Sequence, residues 1–164
     1  MLSQMQKHET YKVLGLAAMS STSSKHKISW AMTLLEQGVE AENLSILATL
    51  SNPVNEFEAD DYFDRTLREL GIEMPSYDCA LEGYAKALAT DVVNGVLSPE
   101  EGASKLYGIK VKLENSEPLA EYSVLDDESF CELNGWSKQK RKDEIIKACK
   151  ETIRQFNYPK VFKA

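Results

Sequence analysis

The segment NEFEADDYFDRTLRELG, residues 55–71, is the feature that most restricts what this chain can fold into. Its apolar side chains recur at the spacing of one helix face: Ala59, Phe63, Leu67 and Leu70. Asn55 is a favourable N-cap, and Glu58 three residues later completes the pattern of a capping box. Gly71 stands where a helix commonly ends in a left-handed residue. The segment therefore predicts one amphipathic α-helix with a defined start and stop.

The same segment contains the densest group of acidic residues in the chain. They are Glu56, Glu58, Asp60, Asp61 and Asp64. Asp61 and Asp64 lie four residues before Arg65 and Arg68, so each acid can pair with its arginine along a helix; Glu56, Glu58 and Asp60 have no such local partner. Two interpretations stay open. Carboxylates in a first turn favour the helix dipole and can simply face water, or the group can form a docking patch for a basic protein partner.

The combination of an apolar stripe, a cap and a closing glycine recurs along the rest of the chain. Further helices are predicted at about residues 8–19, 24–37, 42–50, 77–94, 98–108 and 137–156. Residues 1–7 are predicted to be a loose lead-in. The links are short, which favours antiparallel neighbours. We expect an all-α fold, an irregular antiparallel bundle of about seven helices, in a single domain spanning residues 1–164.

Two stretches between these helices allow more than one interpretation. Residues 109–113, IKVKL, alternate apolar and charged side chains and fit either a short extended segment or a continuation of the preceding helix. Residues 114–134 suggest one short helix and a further turn. This second stretch carries another acidic group, Asp126, Asp127 and Glu128, with Glu132 after it.

The distribution of charge restricts the partners that the chain can bind. Residues 36–134 hold 22 Asp or Glu against six Lys or Arg, while both ends of the chain are basic. An acidic middle region would repel phosphates, which argues against a nucleic-acid partner. The KQKRK sequence at 138–142 is the one basic cluster. It fits a solvated helix turn that contacts acidic side chains of the same molecule better than it fits a phosphate-binding site.

Neither a membrane protein nor a disulfide-stabilised protein is predicted. No apolar run approaches the length of a membrane span, and the first 20 residues do not form a convincing signal peptide, so we expect a cytoplasmic protein. Three cysteines without CxxC spacing argue against a disulfide framework and a zinc site.

No catalytic pattern is recognisable in the sequence, so we expect a protein that is not an enzyme and needs no cofactor or metal. The two histidines lack neighbouring ligands, and no HExxH, GxSxG, GxGxxG or P-loop pattern occurs. The paired acids Asp60–Asp61 and Asp126–Asp127 are where a Mg²⁺ site would be sought. Adjacent helical residues point to different sides, so neither pair alone holds an ion well.

The segments LLEQGVEAENLSILATLSNP and ALATDVVNGVLSPEEGASKLYGI resemble short helical proteins of bacteria that have no assigned activity. The resemblance lies in a glycine-ended helix followed by a capped short helix. It implies a helical fold and no particular function.

The sequence leaves three functional hypotheses. The first is a non-enzymatic protein-binding domain, in its most concrete form a bacterial immunity protein that neutralises a toxin, such as a basic nuclease, through the acidic residues 56, 58, 60, 61, 64, 126, 127 and 128. The second is an enzyme that uses clustered carboxylates with or without a metal. The third is a helical scaffold subunit that associates with copies of itself through apolar faces.

Overall fold

A computed structural model of the chain describes residues 1–50, 53–114 and 116–158. These residues form eight α-helices and one 3-10 turn, and no strand is found among them. The helices are α1 Gln4–Ala18, α2 Ser24–Glu36, α3 Glu42–Thr49, α4 Glu56–Glu69, α5 Tyr77–Val93, α6 Pro99–Lys112, α7 Glu121–Cys131 and α8 Lys138–Gln155, with the 3-10 turn at Glu117–Leu119 before α7. The all-α fold class is confirmed.

The first helix begins earlier than the sequence analysis expected. Ser3 Oγ accepts a hydrogen bond from the Gln6 backbone N–H at 3.2 Å, and Gln6 Oε1 accepts one from the Ser3 N–H at 2.8 Å. This is a complete capping box with glutamine in the place usually taken by glutamate. The prediction that residues 1–7 are a loose lead-in was therefore wrong.

Helix α6 continues through Gly108, where the sequence analysis ended it. The Leu113 N–H still donates to the Ile109 carbonyl at 2.8 Å, so helical hydrogen bonding extends through residues 109–113. Ile109 and Leu113 are four residues apart and both buried, which places them on one helix face. The alternation in IKVKL is therefore part of a helical pattern, and the extended segment is not formed.

The chain divides into two compact units, and each is described by itself. The first contains the described residues 1–50 and 53–80. In it α2 packs against α1, α3 and α4. Its core centres on Trp30, whose ring meets that of Phe63 edge-on at 5.2 Å between centroids and whose Nε1–H donates to Thr10 Oγ1 at 3.1 Å. The indole is buried with its polar atom satisfied, as a core tryptophan requires.

The second unit contains the described residues 81–114 and 116–158, in which α6, α7 and α8 pack on one another. Tyr122 is buried in its core, and its hydroxyl shares a 2.8 Å hydrogen bond with Thr152 Oγ1. Cys149 is also buried there. The expectation of a single domain stays a prediction.

Within the second unit, α5 and α6 approach closely where α6 has no side chain. A Cβ atom on Gly102 would lie 2.2 Å from Val92 Cγ2, whereas one on Gly108, in the same helix, would meet nothing within 4 Å. We expect Gly102→Ala to lower the free energy of unfolding by about 1–3 kcal/mol, because valine is stiff about χ1 and the helices must separate.

The matched variant Gly108→Ala should raise the unfolding free energy by about 0.5–1 kcal/mol through helix propensity. Urea unfolding followed by circular dichroism measures both. Equal shifts of the same sign would show that α5 and α6 are not packed as described.

Candidate functional site

Helix α4 carries five of the eight residues that the sequence analysis assigned to partner binding. Its start and stop are as expected: Asn55 Oδ1 accepts from the Phe57 N–H at 3.0 Å, and Gly71 has a φ of +68°. Glu58 does not return a hydrogen bond to the cap within the described part of the chain, so the predicted capping box is incomplete. Glu58 faces solvent instead.

Glu56 holds the start of α2. One oxygen of its carboxylate accepts from the Ser24 backbone N–H at 3.1 Å, and the other accepts from Ser24 Oγ at 2.8 Å. Because Ser24 is the first residue of α2, the carboxylate satisfies an N–H that has no partner inside that helix and lies at the positive end of its dipole. Glu56 is therefore used within the first unit.

Asp60, one turn further along α4, makes a second contact with α2. Its Oδ1 accepts from Lys27 Nζ at 2.5 Å. The Lys27 side chain is only 10% exposed, whereas that of Asp60 is 55% exposed. The ammonium also lies 5.1 Å from the centroid of the Phe63 ring, where a cation–π attraction adds to the ion pair. Asp60 is thus the counter-ion of a largely buried lysine.

The outward side of α4 is different. Phe57 is 87% exposed, and Glu58, Asp61 and Asp64 around it are exposed as well. Asp61 pairs with Arg65 at 2.7 Å as expected. The expected Asp64–Arg68 pair is not formed, since Arg68 Nε donates to the Asp64 backbone carbonyl at 3.3 Å, and neither Glu58 nor Asp64 forms an ion pair among the residues that the structure describes. Phe57, Asp61 and Asp64 have the i, i+4, i+7 spacing of one helix face. We name these four residues, Phe57, Glu58, Asp61 and Asp64, the α4 surface.

The second acidic group, in α7, does not form a common surface. Glu128 is 1% exposed, and its carboxylate accepts from the Asn134 backbone N–H at 3.0 Å and from Asn134 Nδ2 at 2.9 Å. Asp126 is 9% exposed, and its Oδ1 has no hydrogen-bond partner in the described part of the chain. Only Asp127 is exposed. These residues belong to the second unit and the α4 surface to the first.

Two features of the site were missed at the sequence level. The contacts of Glu56 and Asp60 join residues 32 and 33 positions apart, which local spacing cannot reveal. The exposure of Phe57 did have a signal, because Phe57 lies two residues before Ala59 and so falls off the stripe that Ala59 and Phe63 begin. An aromatic residue that lies off the apolar stripe of a well-defined helix therefore indicates an exposed aromatic side chain.

Possible metal ligands are dispersed among the described residues. No group of three or more His, Cys, Asp or Glu side chains that could hold a metal lies within the described ranges. Burial raises the pKa of Cys149 to about 11, so its thiol stays protonated at neutral pH, and the Tyr122 hydroxyl donates to its Sγ at 3.5 Å. A buried, protonated thiol is a poor nucleophile. Separately, none of the helices in the described residues has the length and apolar character needed to cross a bilayer.

No protein-family model, curated protein or solved structure matches this chain. The geometry of the α4 surface is therefore the observation that bears on function.

The two adjacent aspartates of α4 test the difference between an acid that pairs with α2 and one that pairs only within its own helix. We expect Asp60→Asn to lower the free energy of unfolding by about 1–3 kcal/mol, because it leaves the Lys27 ammonium largely buried without its counter-ion. Asp61→Asn removes only an exposed i, i+4 pair with Arg65 and should cost less than about 0.5 kcal/mol. Chemical denaturation of both variants measures the difference, and equal losses would contradict the assignment.

Proposed function

We propose that this chain is a non-enzymatic protein-binding module that docks on a basic protein through the α4 surface. The observation that carries the proposal is the 87% exposure of Phe57 on a helix whose neighbouring exposed side chains are carboxylates. Large aromatic side chains dominate the energy of protein interfaces when they enter an apolar pocket. The partner would offer such a pocket with Lys or Arg at its rim.

The attachment of α4 supports this proposal. Ala59, Phe63 and Leu67 are buried under the helix, while Glu56 and Asp60 hold it to α2. The α4 surface thus lies on a helix that is held in place by its buried side chains and by its contacts with α2. Side chains presented on a fixed helix lose less conformational entropy on binding than those on a mobile loop, which favours affinity.

The charge of the α4 surface supports a basic partner. Glu58 and Asp64 keep their negative charge free of ion pairs among the described residues, and Asp61 has only an exposed partner. Exposed charge of one sign steers a partner of opposite sign and raises the association rate. The most concrete form of the proposal is an immunity protein that blocks a toxin, such as a nuclease whose own active site is basic.

The test uses partner capture from the source cell followed by binding kinetics with matched variants. Glu58→Lys with Asp64→Lys should slow association with the captured partner at least tenfold and reduce its dependence on salt. Glu114→Lys with Glu117→Lys changes the net charge equally in exposed residues of the second unit and should change the rate far less.

Phe57→Ala separates the aromatic contribution from the charge. It should accelerate dissociation by roughly thirtyfold, corresponding to about 2 kcal/mol, and leave the association rate nearly unchanged. The proposal fails if the α4 variants bind the captured partner with wild-type kinetics, or if the control pair weakens binding as much as they do.

A further inference from the structure

A pocket of about 530 Å³ lies at the C-terminal end of α4, in the first unit. Residues of the last turns of the helix and of the connector that follows it line this pocket. Asp64 is one of them and also belongs to the α4 surface, so a protein that covers the α4 surface reaches the pocket as well. We name this cavity the α4 pocket; its lining includes Asp64, Leu67, Arg68, Ile72, Glu73 and Met74.

Backbone hydrogen bonds hold the turn that shapes the α4 pocket. The Ile72 N–H donates to the Leu67 carbonyl at 2.8 Å, and the Gly71 N–H donates to the Arg68 carbonyl at 3.1 Å. These are the two bonds of a Schellman motif, which uses the left-handed φ of Gly71. Leu67 and Ile72 are both buried, in keeping with the apolar contact that accompanies this motif. The pocket is therefore present in the chain without a partner.

The α4 pocket offers apolar surface to a side chain that enters it. Met74 is 58% exposed although its side chain is apolar, and Leu67 and Ile72 also line the pocket. A methionine adapts its shape to its neighbour, and the methylene stem of a long side chain packs along such surface while its polar head stays near water. The shape and lining therefore suit an unbranched side chain with a polar end.

The charges around the α4 pocket favour a cation at that polar end. Two acidic residues, Asp64 and Glu73, line the pocket against one basic residue, Arg68. The Asp64 carboxylate forms no ion pair in the described part of the chain, whereas Arg68 Nε already donates to the Asp64 backbone carbonyl at 3.3 Å. The pocket also lies at the C-terminal end of a helix, where the dipole is negative and favours cations. An anion would meet two carboxylates and the unfavourable end of the dipole.

We infer that the α4 pocket receives a lysine or arginine side chain of the same protein that docks on the α4 surface. The stem of that side chain packs against Met74, and its cationic head pairs with Asp64 and Glu73. Asp64 and Gly71 follow Phe57 by 7 and 14 positions, so at about 1.5 Å per residue this contact lies roughly 10–20 Å along the helix from Phe57. The inference rests on the proposed function and adds to it the chemistry of a second contact.

Titration with blocked amino acids, followed by the NMR signal of the Met74 methyl group, tests the α4 pocket without the partner. N-acetyl-lysine amide and N-acetyl-arginine amide should shift that signal over the millimolar range. N-acetyl-norleucine amide has an aliphatic stem without the charge, and N-acetyl-glutamate amide has the opposite charge. Both should shift the signal several-fold less at equal concentration. An equal or larger shift with either of them, or no shift with the basic derivatives, would overturn the inference.

Matched variants assign the preference for a cation to the acids of the α4 pocket. Asp64→Asn with Glu73→Gln should remove the difference between the lysine and norleucine derivatives. Glu36→Gln with Glu40→Gln neutralises two exposed acids elsewhere in the first unit and should keep that difference. The inference fails if the difference persists in the pocket variant, or if the control variant removes it as completely.

Dissociation kinetics with the captured partner show whether the complex uses the α4 pocket. Glu73→Gln with Met74→Ser should accelerate dissociation at least threefold. Met32→Ser with Glu36→Gln makes the same two changes in exposed residues of α2 and should leave the rate unchanged. If Phe57→Ala accelerates dissociation and the pocket variant does not, the inference about the pocket is wrong and the proposed function stands. If neither variant changes the rate, both are wrong.

Discussion

Two carboxylates one helical turn apart, on Glu56 and Asp60, attach α4 to α2. One accepts from the backbone and side chain of Ser24 at the start of α2, and the other pairs with the largely buried ammonium of Lys27. With that side of α4 attached, Phe57 is left in solvent with acids around it. The acidic sequence of α4 thus contains two sets of residues, one that contacts α2 and one that faces solvent.

The second unit uses a buried acid in a similar way. The Glu128 carboxylate accepts hydrogen bonds from the backbone and side chain of Asn134. The turn that these bonds hold follows α7, where Phe130 and Leu133 are exposed. In both units an acid that the sequence analysis assigned to partner binding makes contacts within the fold, and a neighbouring aromatic side chain is exposed. Acidity alone is therefore an incomplete description of the exposed sides of α4 and α7.

Much of the fold could be predicted from local sequence, because helix ends depend on neighbouring residues. Asn55 marks the start of α4 and Gly71 its end, as expected. Gly108 did not end α6, since the glycine penalty of about 1 kcal/mol is small against the burial of Ile109 one residue later. The contacts of Glu56 and Asp60 could not be predicted, because they depend on which face of α2 meets α4, and that is fixed only by packing of the whole unit.

The division of the α4 acids by face can be measured most directly by labelling carboxyl groups with a carbodiimide and glycine ethyl ester, with mass spectrometry reading the rate at each residue. This account predicts that Glu58 and Asp64 react as fast as in an unfolded chain. Glu56 and Asp60 should react several-fold more slowly, and the buried Glu128 slowest of all. Equal rates along α4 in the folded protein would contradict the account, because they would mean that Glu56 and Asp60 do not hold α2.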